Sequence, residues 1–301
     1  MRSRCLKLFE RFQAARQPGP FDYKWSTHHD GGGSWHVVLS GNIHGNEVGS
    51  IPGLVELAEK IASGSLMFPH KLTVLLGNPE AALENKRFIE TDLNRCFLNR
   101  PEDTHETRRA QELIPILSQA DLLIDFHQTI RQTERPFYIF PRHPLSLSWA
   151  VQLGASNTYV DATPKPGTST TRCADEFVWL MGKPAITIEL SEKGFNQNAE
   201  TITRRVIHAL LTTNISQLPD SKPAEILHTI HREAYGSSQR RLRPGLTNFT
   251  PVVAGENLAK ANSPEIIVPH SGYLLFPKYP PESNDGTLLH NPPVHIYRII
   301  A

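Results

Sequence analysis

Between Trp35 and about residue 215, short apolar runs of strand length alternate with stretches whose apolar residues recur at helical spacing, and this alternation constrains the fold more than any other feature. Residues 35–40, 72–76, 122–126, 137–140 and 185–190 are rich in Val, Ile, Leu and Phe and read as buried strands. Residues 49–62, 104–120, 145–153, 171–181 and 199–213 read as the helices between them. Thr104, followed by Glu106 and Thr107, starts the second of these helices, and Pro115 within it is expected to bend or shorten it. Apolar runs without polar alternation suit strands covered on both faces. The expected fold is therefore α/β, a mostly parallel mixed sheet with helices on both sides. From about Pro223 the character changes. Residues 225–231, 265–268, 272–276 and 294–300 are β-like pieces between Pro- and Gly-rich turns, so a catalytic domain over 1–220 and a small β-rich C-terminal domain over 221–301 are expected, joined near 217–223.

With 301 residues, 39% hydrophobic and 20% charged, the chain can bury one substantial core and a smaller second unit. Its formal net charge is only +1, and no Lys- and Arg-rich run is interleaved with aromatics, which argues against nucleic-acid and membrane-surface partners. Any anionic ligand must then be met by local positive charge. The three cysteines, Cys5, Cys96 and Cys173, form no Cys-x-x-Cys pattern and suit a reducing compartment better than a disulfide framework. No apolar stretch approaches the ~18 residues of a membrane span, and the apolar part of residues 1–10 is too short for a signal peptide. The expected location is cytoplasmic, neither exported nor anchored.

Two of the strands end on polar clusters. The first run leads into Ser40-Gly-Asn-Ile-His44-Gly-Asn-Glu47, and the third is Leu122-Leu-Ile-Asp-Phe-His127. Open α/β sheets place ligand sites beyond the carboxyl ends of their strands, so His44, Glu47 and His127 can converge there on one metal ion. Gly45 and Asn46 permit a tight backbone, and Asp125, two before His127, can orient that imidazole. Three protein ligands leave a coordination position open, which a zinc hydrolase needs and a structural zinc site avoids.

These motifs resemble a known family. His44-Gly-Asn-Glu47, Asp92-Leu-Asn-Arg95, Asp125-Phe-His127 and Ile188-Glu189 fall in the order and approximate spacing of the succinylglutamate desuccinylase and aspartoacylase family, relatives of the zinc carboxypeptidases. The resemblance spans about residues 37–200, and the run 125–131 is closer to the desuccinylase branch. It implies a zinc carboxypeptidase-like fold and one Zn2+ per chain held by His44, Glu47 and His127.

Glu189 ends the fifth strand at the same sheet edge. A carboxylate beside zinc, but not ligating it, can take a proton from the bound water and pass it to the departing amine. On the residues alone Glu192 is a rival; the resemblance implies Glu189 as the general base and acid. Arg87, Asn94 and Arg95 lie in one segment between the second strand and the next helix, and their planar fork and amide chemistry suits an acidic substrate, although Glu84, Glu90 and Asp92 could pair with them in a plain surface turn. The resemblance implies that Arg87 polarises the scissile carbonyl and that Asn94 and Arg95 grip a substrate carboxylate. A further substrate arginine of the family would fall near Trp179, where this chain has none. Arg131 and Arg172 are the candidates to replace it, with Arg131 assigned to substrate binding, and Tyr279 is the candidate tyrosine of the C-terminal region.

The expected activity is thus zinc-dependent hydrolysis of the amide of a small acidic N-acyl amino acid, in a cleft narrowed by the C-terminal domain. The alternatives are a zinc carboxypeptidase acting on peptides through an open cleft, and a catalytically silent metal-binding homologue. The expected partner is the small-molecule substrate, with no nucleic acid and no membrane; homo-oligomerisation is left open.

Overall fold

The chain is described by a computed structural model over residues 1–21, 23–98, 102–164, 173–214, 218, 225–236, 239–280 and 294–301. In chain order its elements are α1 (Arg2–Ala14), β1 (Ser26–Asp30), β2 (His36–Gly41), α2 (Ile51–Ala62), β3 (Lys71–Leu76), α3 (Pro79–Leu83), a 3-10 turn (Leu93–Arg95), α4 (His105–Ser118), β4 (Leu122–Thr129), β5 (Phe137–Phe140), α5 (Pro144–Leu153), β6 (Thr158–Asp161), α6 (Ala174–Leu180), β7 (Ala185–Glu192), α7 (Gln197–Thr212), β8 (Glu225–Ala234), β9 (Pro251–Val252), β10 (Gly272–Leu275) and β11 (His295–Ile300). The strands lie in the order β1-β3-β2-β4-β7-β5-β6-β8-β11-β10-β9. β3, β2, β4 and β7 run parallel to one another, as do β5, β6 and β8. β1 is antiparallel to β3, β5 is antiparallel to β7, and β8, β11, β10 and β9 pair antiparallel in turn, so the sheet is mixed.

The central strands are buried on both faces, in keeping with their predominantly apolar composition. Ile124, Phe126, Ile186 and Ile188 pack with residues of α1, α2, α5 and α7 on one side, and Val38, Leu123 and Ala185 pack with α4 and α6 on the other. Side chains alternate along a strand, so Leu123, Asp125 and His127 share the α4/α6 face. That alternation carries the polar residues out of the core and to the sheet's carboxyl edge.

Several elements differ from expectation. α1 buries Cys5, Leu8, Phe9 and Phe12 against α2, and β1 adds a polar antiparallel edge; neither was anticipated, nor was the four-residue β6. β4 and β7 run on past their apolar cores to Thr129 and Glu192. α4 starts where expected, with the Thr107 amide donating to Thr104 Oγ1 at 3.2 Å and the Thr104 amide donating to Thr107 Oγ1 at 2.8 Å. It continues through Pro115 to Ser118, because the proline falls in its last turn, where little helix remains to lose. In the C-terminal region Tyr235, Leu242, Leu258, Ile266, Leu274 and Ile299 form a separate apolar core, while residues 265–268 contribute only the isolated bridge between Asn257 and Ile267. The expected junction near 217–223 lies outside the described residues except for Leu218. Among the described residues no helix is long and apolar enough to cross a membrane.

One polar knot under the edge of the sheet makes stability pH-dependent. Thr73 Oγ1 lies 2.9 Å from His28 Nδ1 and 2.8 Å from His36 Nε2, and Ser26 Oγ lies 3.0 Å from His28 Nε2. Burial pushes His28 down to about 4 and lowers His36 as well. The folded state therefore refuses protons that the unfolded chain accepts near the ordinary histidine value, so this stability is complete above that value and is lost as pH falls toward 4. The melting temperature should drop on acidification across this window, and His28→Gln should flatten the slope. An unchanged slope in thermal melts of that variant would remove the knot from the account.

Candidate active site

After β2 the chain turns toward α2 through Asn42, whose φ of 61° lies in the left-handed region that asparagine tolerates. Its side-chain amide donates to the carbonyls of His44 at 3.2 Å and Gly45 at 2.9 Å. Gly45 is needed for close approach, since a Cβ there would meet Ala81 Cβ at 2.4 Å and the Lys86 carbonyl oxygen at 2.6 Å. This turn aims His44 and Glu47 at the end of β4. His44 Nδ1 lies 2.9 Å from Glu47 Oε1, His127 Nδ1 lies 2.9 Å from Glu47 Oε2, and the two Nδ1 atoms are 3.1 Å apart. One ligand atom from each residue falls within 4.8 Å of the others, and all three residues are buried.

The cluster is electrically suited to a cation. Burial pushes the Glu47 carboxyl up, but the charge of His44 and the hydrogen bond from His127 outweigh it and hold Glu47 well below the usual carboxylate range. Burial pushes His127 down, but Asp125 and Glu47 outweigh that and hold it well above the usual histidine value. Asp125 Oδ2 lies 2.8 Å from His127 Nε2, an i, i+2 contact along one face of β4. Asp92 Oδ1 lies 3.1 Å from His44 Nε2. Each imidazole thus has an outer carboxylate that fixes its orientation, as metal-ligating histidines commonly do. Two imidazole nitrogens and a carboxylate within ligating reach of one another could hold a metal ion.

Glu189 is the register partner of His127 across the parallel β4–β7 ladder. Its side chain is buried, and Oε2 has no hydrogen-bond partner among the described residues. Burial pushes its carboxyl up to about 8, with the His127 charge opposing and the Glu47 charge reinforcing the shift. Glu192, the rival, lies beyond a register shift, opposite Thr129.

The segment carrying the basic residues is pinned by one buried carboxylate. Glu106 accepts from Asn78 Nδ2 at 3.0 Å and from the amides of Ile89, Glu90 and Thr91 at 2.7, 3.1 and 3.0 Å. Asp92 then caps the 3-10 turn, accepting from the Asn94 amide at 3.0 Å. Arg87 is paired with Asp92 Oδ2 at 3.1 Å, as a plain surface turn would have it, but it also reaches Glu47 Oε1 at 3.2 Å and His44 Nε2 at 2.6 Å. Asn94 Oδ1 accepts from the Ala174 amide at 2.9 Å, and Arg95 Nη1 lies 3.0 Å from Cys173 Sγ, so this pair spans the gap to the start of α6.

Two sequence candidates stand apart from the cluster. Arg131 is exposed and its guanidinium lies 4.3 Å over the ring of Tyr279. The Tyr279 hydroxyl accepts from the Leu246 amide at 3.0 Å and donates to the Arg243 carbonyl at 2.9 Å, a structural role within the C-terminal region. Arg172 lies outside the described residues. Sequence reasoning gave Asp92 no part beyond pairing with an arginine, and it missed Glu106 as the anchor of the loop. The signal for Asp92 was its place as a turn cap two before Asn94; Glu106 carries none.

A family model described as the succinylglutamate desuccinylase/aspartoacylase catalytic domain matches residues 35–213. A probable aspartoacylase of Acaryochloris marina is 36% identical over 135 residues, which cover 41% of this chain and 45% of that protein, so this match spans less than half of the relative. A succinylglutamate desuccinylase of Serratia proteamaculans is 29% identical over 264 residues, covering 80% of this chain and 79% of that protein. Among solved structures, the succinylglutamate desuccinylase of Chromobacterium violaceum superimposes with a TM-score of 0.72 at 20% identity, covering 97% of this chain and 96% of that one, which establishes a shared fold.

Proposed function

Because the chain belongs to the succinylglutamate desuccinylase/aspartoacylase family, we propose that it is a zinc-dependent amidohydrolase that releases the amino acid from small acidic N-acyl amino acids. The observation that carries this reading is the buried, unpartnered carboxylate of Glu189 one strand away from the His44, Glu47 and His127 cluster. Those three residues would hold the ion. Zinc bound there would supply Lewis acidity and make water acidic enough to lose a proton near neutrality.

Glu189 accepts that proton as the water oxygen bonds to the acyl carbon, and then returns it to the amine nitrogen as the C–N bond breaks. A carboxyl raised to about 8 can both take and give a proton near neutral pH. Arg87, steadied by Asp92, donates to the carbonyl oxygen as negative charge builds on it. Asn94 presents its NH2 group, its oxygen being engaged by α6, and together with Arg95 receives a substrate carboxylate. Arg131 is proposed to act only at the rim.

The direct test is amine release from a panel of N-acyl amino acids and short peptides by zinc-loaded protein. Acidic N-acyl amino acids should be the preferred substrates. Arg95→Lys should mainly raise KM, since lysine keeps the charge but loses the two-pronged geometry. Arg87→Ala should mainly lower kcat, by ~10²–10³, the typical loss for one oxyanion donor. Equal cleavage of neutral substrates, or faster cleavage of peptides, would overturn the reading.

A further inference from the structure

Left-handed backbone is rare for bulky side chains, yet among the described residues two of the five non-glycine positions that adopt it are phenylalanines. Three of the five are asparagines, which tolerate it; the others are Phe249, at a φ of 66°, and Phe276, at 53°. Each is held there by the chain around it. The Phe249 amide donates to the Leu274 carbonyl at 2.8 Å, and the Phe276 amide donates to Asn248 Oδ1 at 2.7 Å. Asparagine or glycine would adopt the same backbone at lower cost, so the reason for these two residues lies in their rings.

Both rings pack on one residue. Phe249 meets Phe137 edge to face, with 5.2 Å between centroids and 86° between planes, and Phe276 lies 5.9 Å from the same ring at 51°. Phe137 is fully buried and is the register partner of Glu189 across the antiparallel β5–β7 pair. Residues directly opposite in such a pair project from the same face with Cβ atoms about 4.5–5.5 Å apart, which sets Phe137 beside Glu189. Ile139 stands likewise opposite Thr187, and with Phe249, Leu275 and Ile300 these residues form one apolar cluster. The Arg135 guanidinium, from the loop between β4 and β5, lies 4.7 Å over the Phe249 ring and ties it to the catalytic sheet. Ordinary core packing explains why the rings are buried. It does not explain two of them on a backbone that penalises them, converging on the one aromatic opposite a buried carboxylate whose Oε2 has no partner among the described residues.

We propose that Phe249 and Phe276 are positioning residues for Glu189: they press Phe137 against that side chain, which keeps water off the carboxylate and confines it beside His127. This rests on the proton-carrier reading of Glu189, and adds that a region with its own core completes the reactive edge of the sheet. A carboxylate that is slightly displaced, or wetted, loses rate rather than affinity for substrate.

Phe249→Gly and Phe276→Asn each remove a ring while suiting the left-handed backbone, so they separate the ring from the strain. Assayed well below the melting temperature, each should lower kcat ~10-fold or more with KM within about 2-fold of the parent. Phe276→Tyr, which keeps the ring at a partly buried position, should recover most of kcat. The control is Leu258→Ala in the separate C-terminal core, which should lower the melting temperature while moving kcat by no more than about 2-fold. A second readout needs no turnover. In Glu189→Cys protein, alkylation of the introduced thiol by iodoacetamide, followed by peptide mass mapping, should quicken roughly 10-fold when Phe249→Gly or Phe276→Asn is added. Unchanged kcat or unchanged alkylation would overturn the proposal, and so would an equal loss of kcat in Leu258→Ala. Should Phe249→Gly fail to fold, Phe276→Asn decides alone. Full turnover by Glu189→Gln would instead sink the proton-carrier reading, with the alkylation rates still telling whether the rings shield that position.

Discussion

Glu189→Gln is expected to keep the fold and the full zinc content while lowering kcat by ~10²–10⁴, the usual worth of a general acid–base group. The amide is nearly isosteric with the carboxyl, so the packing that buries Glu189 next to His127 survives. It cannot accept the proton of water, and it cannot return one to the leaving amine. KM should change little, because Glu189 touches neither the arginines nor the asparagine proposed to hold the substrate. Burial holds the Glu189 carboxyl at about 8, so near neutral pH it is mostly uncharged already, and the amide should leave the melting temperature nearly unchanged. Glu189→Asp is the stricter probe: it keeps the chemistry but draws the carboxylate back by one methylene, and should retain more activity than the amide. Turnover of Glu189→Gln within a few-fold of the parent would hand the role to Glu192.

Loss of the metal is expected to be as severe. His44→Ala, Glu47→Ala and His127→Ala should each bring bound zinc, measured by atomic emission after dialysis, to a small fraction of one per chain and reduce amine release to background. Glu47 is the keystone, since its two oxygens meet both histidines and also accept from the Gln128 amide at 3.0 Å. The outer carboxylates should matter less. Asp125→Asn and Asp92→Asn are expected to weaken zinc ~10–100-fold, the range typical of groups that only orient a ligand. Asp92→Asn should also lower kcat, because it frees Arg87 from the carboxylate that aims it. Undiminished zinc in all three alanine variants would remove the metal from this cluster.

The parts of the molecule legible in the sequence are those where one physical requirement dominates. β2, β3, β4 and β7 are buried on both faces, so they are predominantly apolar, and their polar ends stand out for the same reason. The cluster of His44, Glu47 and His127 could be picked out because it occupies those ends. No element was expected in the first thirty residues. β1, Ser26-Thr-His-His-Asp, is an edge strand whose polar side chains serve a buried hydrogen-bonded knot, which periodicity cannot report. α1 did carry a signal in Cys5, Leu8, Phe9 and Phe12 at helical spacing. Asp92 and Glu106 act through backbone amides and through other side chains, and that role leaves no mark in composition.

The parallel pairing of β4 with β7 has a consequence for how such a chain can change over time. His127 and Glu189 are register partners, so the gap between the His44, Glu47 and His127 cluster and the Glu189 carboxylate is set largely by the backbone ladder. Neighbouring loops can lengthen, shorten or exchange sequence, and substrate preference can drift with them, while this separation is inherited unaltered. A single residue inserted or deleted within Ala185–Ile188 would do the opposite. It would turn Glu189 to the far face of the sheet and should silence the proposed chemistry in one step, leaving the loops and the His44, Glu47 and His127 cluster in place.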